Sequence, residues 1–182
     1  DPERIQDALN QGATGVQIGT AFAFCEESGM SSALRYRVIQ RALNAGNRVF
    51  TDPVASPTGF PFKVLELDRT LWDPVIYGER ARICDLAYLR HAFRKADGSL
   101  GYPCPAAPVD DYLAKGGNLE ETVGRKCVCN GLMATVGLGQ VLSPSEEELP
   151  LVTAGDDVGR LGRFIQPGRT TYTADDVIDY LE

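Results

Sequence analysis

Apolar and polar positions along the chain follow a helical period first and an extended one later. Ile5, Ala8 and Leu9 fall on one face of a 3.6-residue repeat. Asp1 stands at the capping position before them, and Pro2 fits a first helical turn. Gly12 supplies a left-handed stop. Gly15-Val16-Gln17-Ile18 then reads as a very short buried strand that breaks at Gly19-Thr20. The apolar run Ala21 to Cys25 is expected to leave the strand end as a loop, closed by Glu26-Glu27-Ser28-Gly29. Ser31 or Ser32 caps the next helix. Its buried stripe is Leu34, Val38, Ala42 and Leu43, and Gly46 is its stop. Helix, strand, glycine turn and helix again is the rhythm of a (β/α) barrel or a doubly wound sheet.

Beyond this the pattern loosens. Arg48 to Pro53 reads as a short extended piece, and Ser56-Pro57-Thr58-Gly59 as a turn. Phe60, Phe62 and Val64 alternate with Pro61 and Lys63, which suits an edge strand or a loop arm. From about residue 70 the composition shifts. Leu86, Leu89 and Phe93 predict a helix over 85–95, turned by Asp97-Gly98. Prolines 103, 105 and 108 lack amide donors and exclude regular structure. Short helices follow over 109–115, closed by Gly116-Gly117, and over 132–138, buried and starting near Cys129-Asn130. Leu149 to Val152 is an extended link. Asp156 to Phe164 is a helix despite Gly159 and Gly162. Thr173-Ala174-Asp175-Asp176 is a capping box for a last helix that buries Val177, Ile178 and Leu181.

Composition narrows the class. An apolar share of 43% with 24% charged residues is that of an ordinary soluble globular protein. A net charge of -7 argues against a non-specific grip on nucleic acid or an anionic membrane, both of which need a basic face. No apolar run approaches the roughly 18 residues of a membrane span, and no signal peptide is visible. The first residue, Asp1, opens a helix without a methionine, which reads as a piece of something longer. Five cysteines without a secretory signal favour reduced thiols and a cytoplasmic setting.

Two groups of residues carry candidate chemistry. A compact strand followed at once by glycine and a hydroxyl presents backbone N–H groups to an anion, and Gln17, Ile18, Gly19 and Thr20 are placed to do this for a phosphate. The bland alternative is a tight strand-to-helix turn in which the glycine only relieves crowding. Cys84, Cys104, Cys127 and Cys129 form the second group, a thiol set of the size a tetrahedral zinc site or an iron–sulfur cluster uses. Only Cys127 and Cys129 are close in sequence, so the alternative is a set of small buried apolar residues. Glu26-Glu27 and Glu146-Glu147-Glu148 read as solvated faces, while Asp110-Asp111 and Asp156-Asp157 suit helix starts. Phe60 and Phe62 pack the arm or face a ligand mouth.

The stretch Gly15 to Thr20, with Glu27-Ser28-Gly29 after it, resembles the last barrel strand of the nitronate monooxygenase family, also called 2-nitropropane dioxygenases. Thr51 to Pro61 is similar to the exit from its following helix. Arg82 to Asp85, Gly101 to Pro105 and Gly124 to Leu132 resemble the C-terminal part of one branch of that family. The family fold is an FMN-binding TIM barrel with an appended region. Its members oxidise alkyl nitronates with molecular oxygen through the flavin, and relatives reduce enoyl groups. The resemblance implies an α/β fold: the C-terminal part of a TIM (β/α)8 barrel over 1–68, then a mostly helical, loop-rich appendage over 69–182. It implies that the amides of Ile18, Gly19 and Thr20 and the Thr20 hydroxyl face the FMN phosphate.

The family's proton-abstracting histidine has no counterpart, since the single His91 lies downstream of the phosphate motif, where a surface or partner-contact role is expected. No catalytic residue is therefore expected in this chain, and the fragment alone should be inactive. Its expected partners are a small-molecule substrate, the missing N-terminal barrel portion, or a second copy of itself. The competing reading is a metal-stabilised interaction module, held by zinc on the cysteines and without activity of its own.

Overall fold

The computed structural model describes residues 1–56, 59–84, 86, 90, 92–95, 97–144 and 146–182. The chain divides into two compact units, one of residues 1–48 with 154–182, the other of residues 49–153. This division differs from the expected boundary after residue 68. The chain leaves the first unit at residue 48 and returns to it at residue 154.

The first unit is helical. α1 (Pro2–Asn10) opens it, and Gly12 at φ 95° ends it as the left-handed stop. Asp1 stands at the cap, but its carboxylate makes no cap bond; it goes to Arg160, Arg163 and Tyr180 instead. Residues 15–19 are neither helix nor ladder, and Val16 is 45% exposed. The expected buried strand is thus absent among the described residues, because none of the described sheets offers it a neighbour. The run after it is not a loop either. α2 (Thr20–Ala23) forms there, and Ala21, Phe24 and Cys25 are core residues.

α3 (Ser32–Leu43) buries Leu34, Arg35, Val38, Ile39 and Ala42. Leu43, expected in the stripe, is about half exposed at 51%. The helix ends through Ala45, which takes φ 51°, and Gly46 then donates to the Arg41 carbonyl at 2.8 Å. The left-handed residue is therefore alanine, one position before the expected glycine.

Asp156–Phe164 is a 3-10 helix rather than an α-helix. Its buried residues Val158, Leu161 and Phe164 recur every third position, the period of that helix. A Cβ on Gly162 would lie 3.0 Å from Leu43 Cδ2, so the glycine lets this helix approach α3. Phe164 packs against Tyr172 and Tyr180 with ring centroids 5.3 and 5.2 Å apart. α7 (Ala174–Leu181) starts at the expected capping box: Thr173 accepts from the Asp176 amide, and Asp176 accepts from the Thr173 amide at 2.7 Å. Val177 is buried as expected, whereas Ile178 is 43% exposed.

The second unit holds three two-stranded antiparallel sheets. β1 (Val49–Asp52) pairs with β2 (Phe62–Leu65), both close to the expected extended pieces. Gly59 donates to Ser56 at 3.2 Å with φ 80°, which turns the chain between them. The other side of β2 meets the 150–153 segment, where Val64 bridges Thr153 and Leu65 donates to Val152. Val64, Leu71, Val128 and Leu151 form the core there, with Phe62, Trp72 and Tyr77 packed against it. Phe62 therefore belongs to the core, while Phe60 is 74% exposed.

α4 (Pro74–Glu79) is capped by Asp73, which accepts from Val75 at 2.8 Å. The expected helix over 85–95 is overturned at its end, because β3 (Phe93–Arg94) pairs with β4 (Leu100–Gly101). The rest of that helix, with His91, falls largely outside the described residues. α5 (Val109–Ala114) ends at Gly116, φ 86°, as expected. A 3-10 turn, Leu119–Thr122, follows from an Asn118 capping box.

α6 spans Cys129–Ala134 and buries only Asn130 and Gly131, so the expected apolar helix to Leu138 is shorter, and Leu138 is 63% exposed. β5 (Val141–Ser143) and β6 (Glu146–Glu147) form the last hairpin. Among the described residues no strand pair is parallel, no barrel closes, and no helix is long and apolar enough to cross a membrane.

Candidate functional site

The four expected phosphate residues stand together at one concavity in the first unit. Gln17, Ile18, Gly19 and Thr20 line a cavity of about 320 Å³ with Arg4, Arg163, Phe164 and the Asp1 and Asp157 carboxylates. Among the described residues, no backbone hydrogen bond engages the amides of Gln17, Ile18, Gly19 or Thr20. A Cβ built on Gly19 would meet nothing within 4 Å, so the glycine leaves open space rather than relieving a clash. That removes the crowding explanation for this residue. Gly19 has φ -101°, a conformation any residue can take.

Thr20 has a structural task as well. Its Oγ1 accepts from the Gly155 amide at 2.9 Å, which ties the start of α2 to the start of the 156–164 helix. A hydroxyl that accepts in this way keeps its own proton to donate.

Sequence reasoning missed Arg163. Its guanidinium donates to Asp1 at 3.0 Å and to Asp157 at 2.6 Å and lies 4.8 Å from the Phe164 ring centroid. Its Nε is buried and has no hydrogen-bond partner among the described residues. A buried N–H without a partner is costly, about 1–3 kcal/mol. The charges at the cavity wall balance: Arg4 and Arg163 against Asp1 and Asp157. An anion entering it competes with two carboxylates for Arg163.

The second group is also brought together. Cys84, Cys104, Cys127 and Cys129, far apart along most of the chain, line one small cavity of about 20 Å³ with Leu86, Lys126, Val128 and Asn130. None of the cysteines is in a disulfide. Their sulfurs are not gathered as a ligand set: among the described residues no three His, Cys, Asp or Glu side chains stand as a metal-holding group. Burial pushes the Cys104 thiol up, and it pushes Cys127 up against the opposing pull of Arg80. Such thiols are poor nucleophiles, which speaks against a cysteine-based reaction.

The segment before Cys127 is clamped. Burial raises the Asp52 carboxyl, but Lys126, at 2.9 Å, and the Val54 and Ala55 amides outweigh it and hold the group below the usual aspartate range. Arg125 donates to the carbonyls of Val54 and Ser56 at 2.8 and 2.6 Å. Glu148 is not a solvated residue as expected. It is buried and paired with Arg80, which also donates to the Cys127 carbonyl. Glu26 and Glu27 are exposed, as expected of a solvated face, and are also engaged, by Arg169 and Thr171 and by the Ala174 amide.

No family model, curated protein or solved structure matches the chain.

Proposed function

We propose that the chain is the phosphate-holding part of an FMN-dependent oxidoreductase resembling the nitronate monooxygenases. The observation that supports it most is the cavity at Gln17 to Thr20, where amides without backbone partners meet open space beyond Gly19. A phosphate dianion there accepts hydrogen bonds from the amides of Ile18, Gly19 and Thr20 and from the Thr20 hydroxyl. Arg163 Nε, buried and without a partner, is a further donor at the same wall.

Flavin supplies redox chemistry when bound; the chain's residues hold its tail and fix its position. The substrate, a small molecule, and the groups that move its protons belong to the remaining barrel, a region this proposal places outside the chain. The segment 15–19, largely exposed, outside any helix and without a sheet neighbour, suits a strand whose partners are supplied by that barrel.

The test uses the longer protein with the remaining strands. It should be yellow and carry FMN, and Gly19→Val should lower FMN affinity at least about tenfold, about 1.4 kcal/mol, with little change in stability because a Cβ at that position meets nothing within 4 Å. Flavin retained unchanged by the variant contradicts the assignment.

A further inference from the structure

We infer that Cys84, Cys104, Cys127 and Cys129 together bind one soft divalent cation, zinc, in the second unit. Three separate stretches of chain bring these residues to a single cavity of about 20 Å³. That is room for about one water-sized guest, the scale of a single ion. Nothing in the FMN reading requires this, and the two stand independently.

The surroundings are those of a supported thiolate set. Asn130 donates to the Ile83 carbonyl at 3.1 Å and to Gln140 Oε1 at 3.0 Å, which fastens the Cys84 strand of chain to the Cys129 helix start. The Cys127 amide donates to the Tyr77 hydroxyl at 2.7 Å, and its carbonyl accepts from Arg80. Cys104 begins a tight turn in which Ala107 donates back to its carbonyl at 2.9 Å. Each cysteine-bearing segment is thus fixed through its backbone or its immediate neighbour. Ligand-bearing segments pinned in this way are what a structural metal site uses.

Charge points the same way. Four thiolates with Zn²⁺ carry two net negative charges. Arg90, whose guanidinium lies 3.8 Å from Cys84 Sγ, supplies positive charge beside it; Lys126 and Arg80 stand at the same cavity or beside Cys127 but are paired with Asp52 and Glu148. Binding releases thiol protons to solvent as each sulfur becomes a ligand. Among the described residues no three His, Cys, Asp or Glu side chains already stand as a metal-holding group, so binding has to gather the sulfurs. Each hangs on one rotatable bond with three staggered wells, so gathering them asks first for χ1 rotation.

The experiment is metal analysis of the full chain purified without chelator. About one zinc per chain is expected, with a cobalt-substituted sample showing the sulfur-to-metal charge-transfer absorption of a thiolate site. Cys127→Ser and Cys129→Ser should each lose most of the metal, while Cys25→Ser, in the core of the other unit, should keep it. If the serine variants fail to fold, thiol counting on the unmodified chain replaces them: a chelator should expose four further thiols to a thiol reagent. Metal-free protein whose thiols react equally with and without chelator overturns the inference. So does a Cys127–Cys129 disulfide, or iron with acid-labile sulfide in place of zinc.

Discussion

Gly19 leaves open space, Thr20 accepts a backbone amide, and Asp52 holds a paired charge. At Gly19 a side chain has open space to enter, so Gly19→Ala should leave thermal stability within about 0.5 kcal/mol of the parent. A thermal melt checks this, and a large loss would mean the space is filled. Thr20 accepts the Gly155 amide, so Thr20→Val should cost about 1 kcal/mol even without any ligand. Thr20→Ser should restore the stability, which separates that structural task from anion binding. Asp52 gives a pH signature. Its folded carboxyl lies below the ordinary value, so it contributes stability that is present above about pH 3.9 and is lost as pH falls through the depressed folded value. Asp52→Asn should flatten that part of the stability profile in acid unfolding, and an unchanged profile would remove Asp52 as the cause.

Single elements show where local sequence decides and where packing does. The Thr173 capping box forms as its spacing dictates, and Thr173→Ala should cost about 1 kcal/mol, read by denaturant unfolding. Gly12 and the Gly116 stop were equally plain, because only those backbone positions needed a left-handed turn there. Ala45 was hidden, since no residue type announces an alanine at φ 51°. The 156–164 helix was legible as a helix but not as a 3-10 one. Its every-third-residue stripe, Val158, Leu161 and Phe164, is the signal that distinguishes them. The β3–β4 hairpin was masked by apolar spacing that also fits a helix, although Asp97-Gly98 is ordinary hairpin-turn chemistry.

In the second unit, Glu148 ties α4's flank to the segment before α6 through Arg80. Both side chains are nearly buried, so Glu148→Gln leaves an uncompensated guanidinium and should destabilise by about 3–5 kcal/mol. Calorimetry of the variant reads this directly. A neutral result would show that water reaches Arg80. Its place in a run of three glutamates made Glu148 read as solvated, because burial depends on a distant cation that the local sequence does not reveal.

On the scale of the whole molecule, the site residues were legible as clusters but not as neighbours. Gln17 to Thr20 were contiguous and easily read; Arg163 joins them only through the fold of the first unit. The cysteines show the reverse case, since poor spacing in sequence hid the shared cavity. The chain returns from the second unit to complete the first, so residues 154–182 supply part of the wall of the cavity at Gln17 to Thr20.

The most direct measurement is amide-resolved NMR of the chain titrated in parallel with FMN and with riboflavin, which lacks the phosphate. FMN should shift the amide resonances of Gln17, Ile18, Gly19 and Thr20, and riboflavin at the same concentration should leave them in place. Equal shifts with both, or none at these four residues with FMN, would contradict the account.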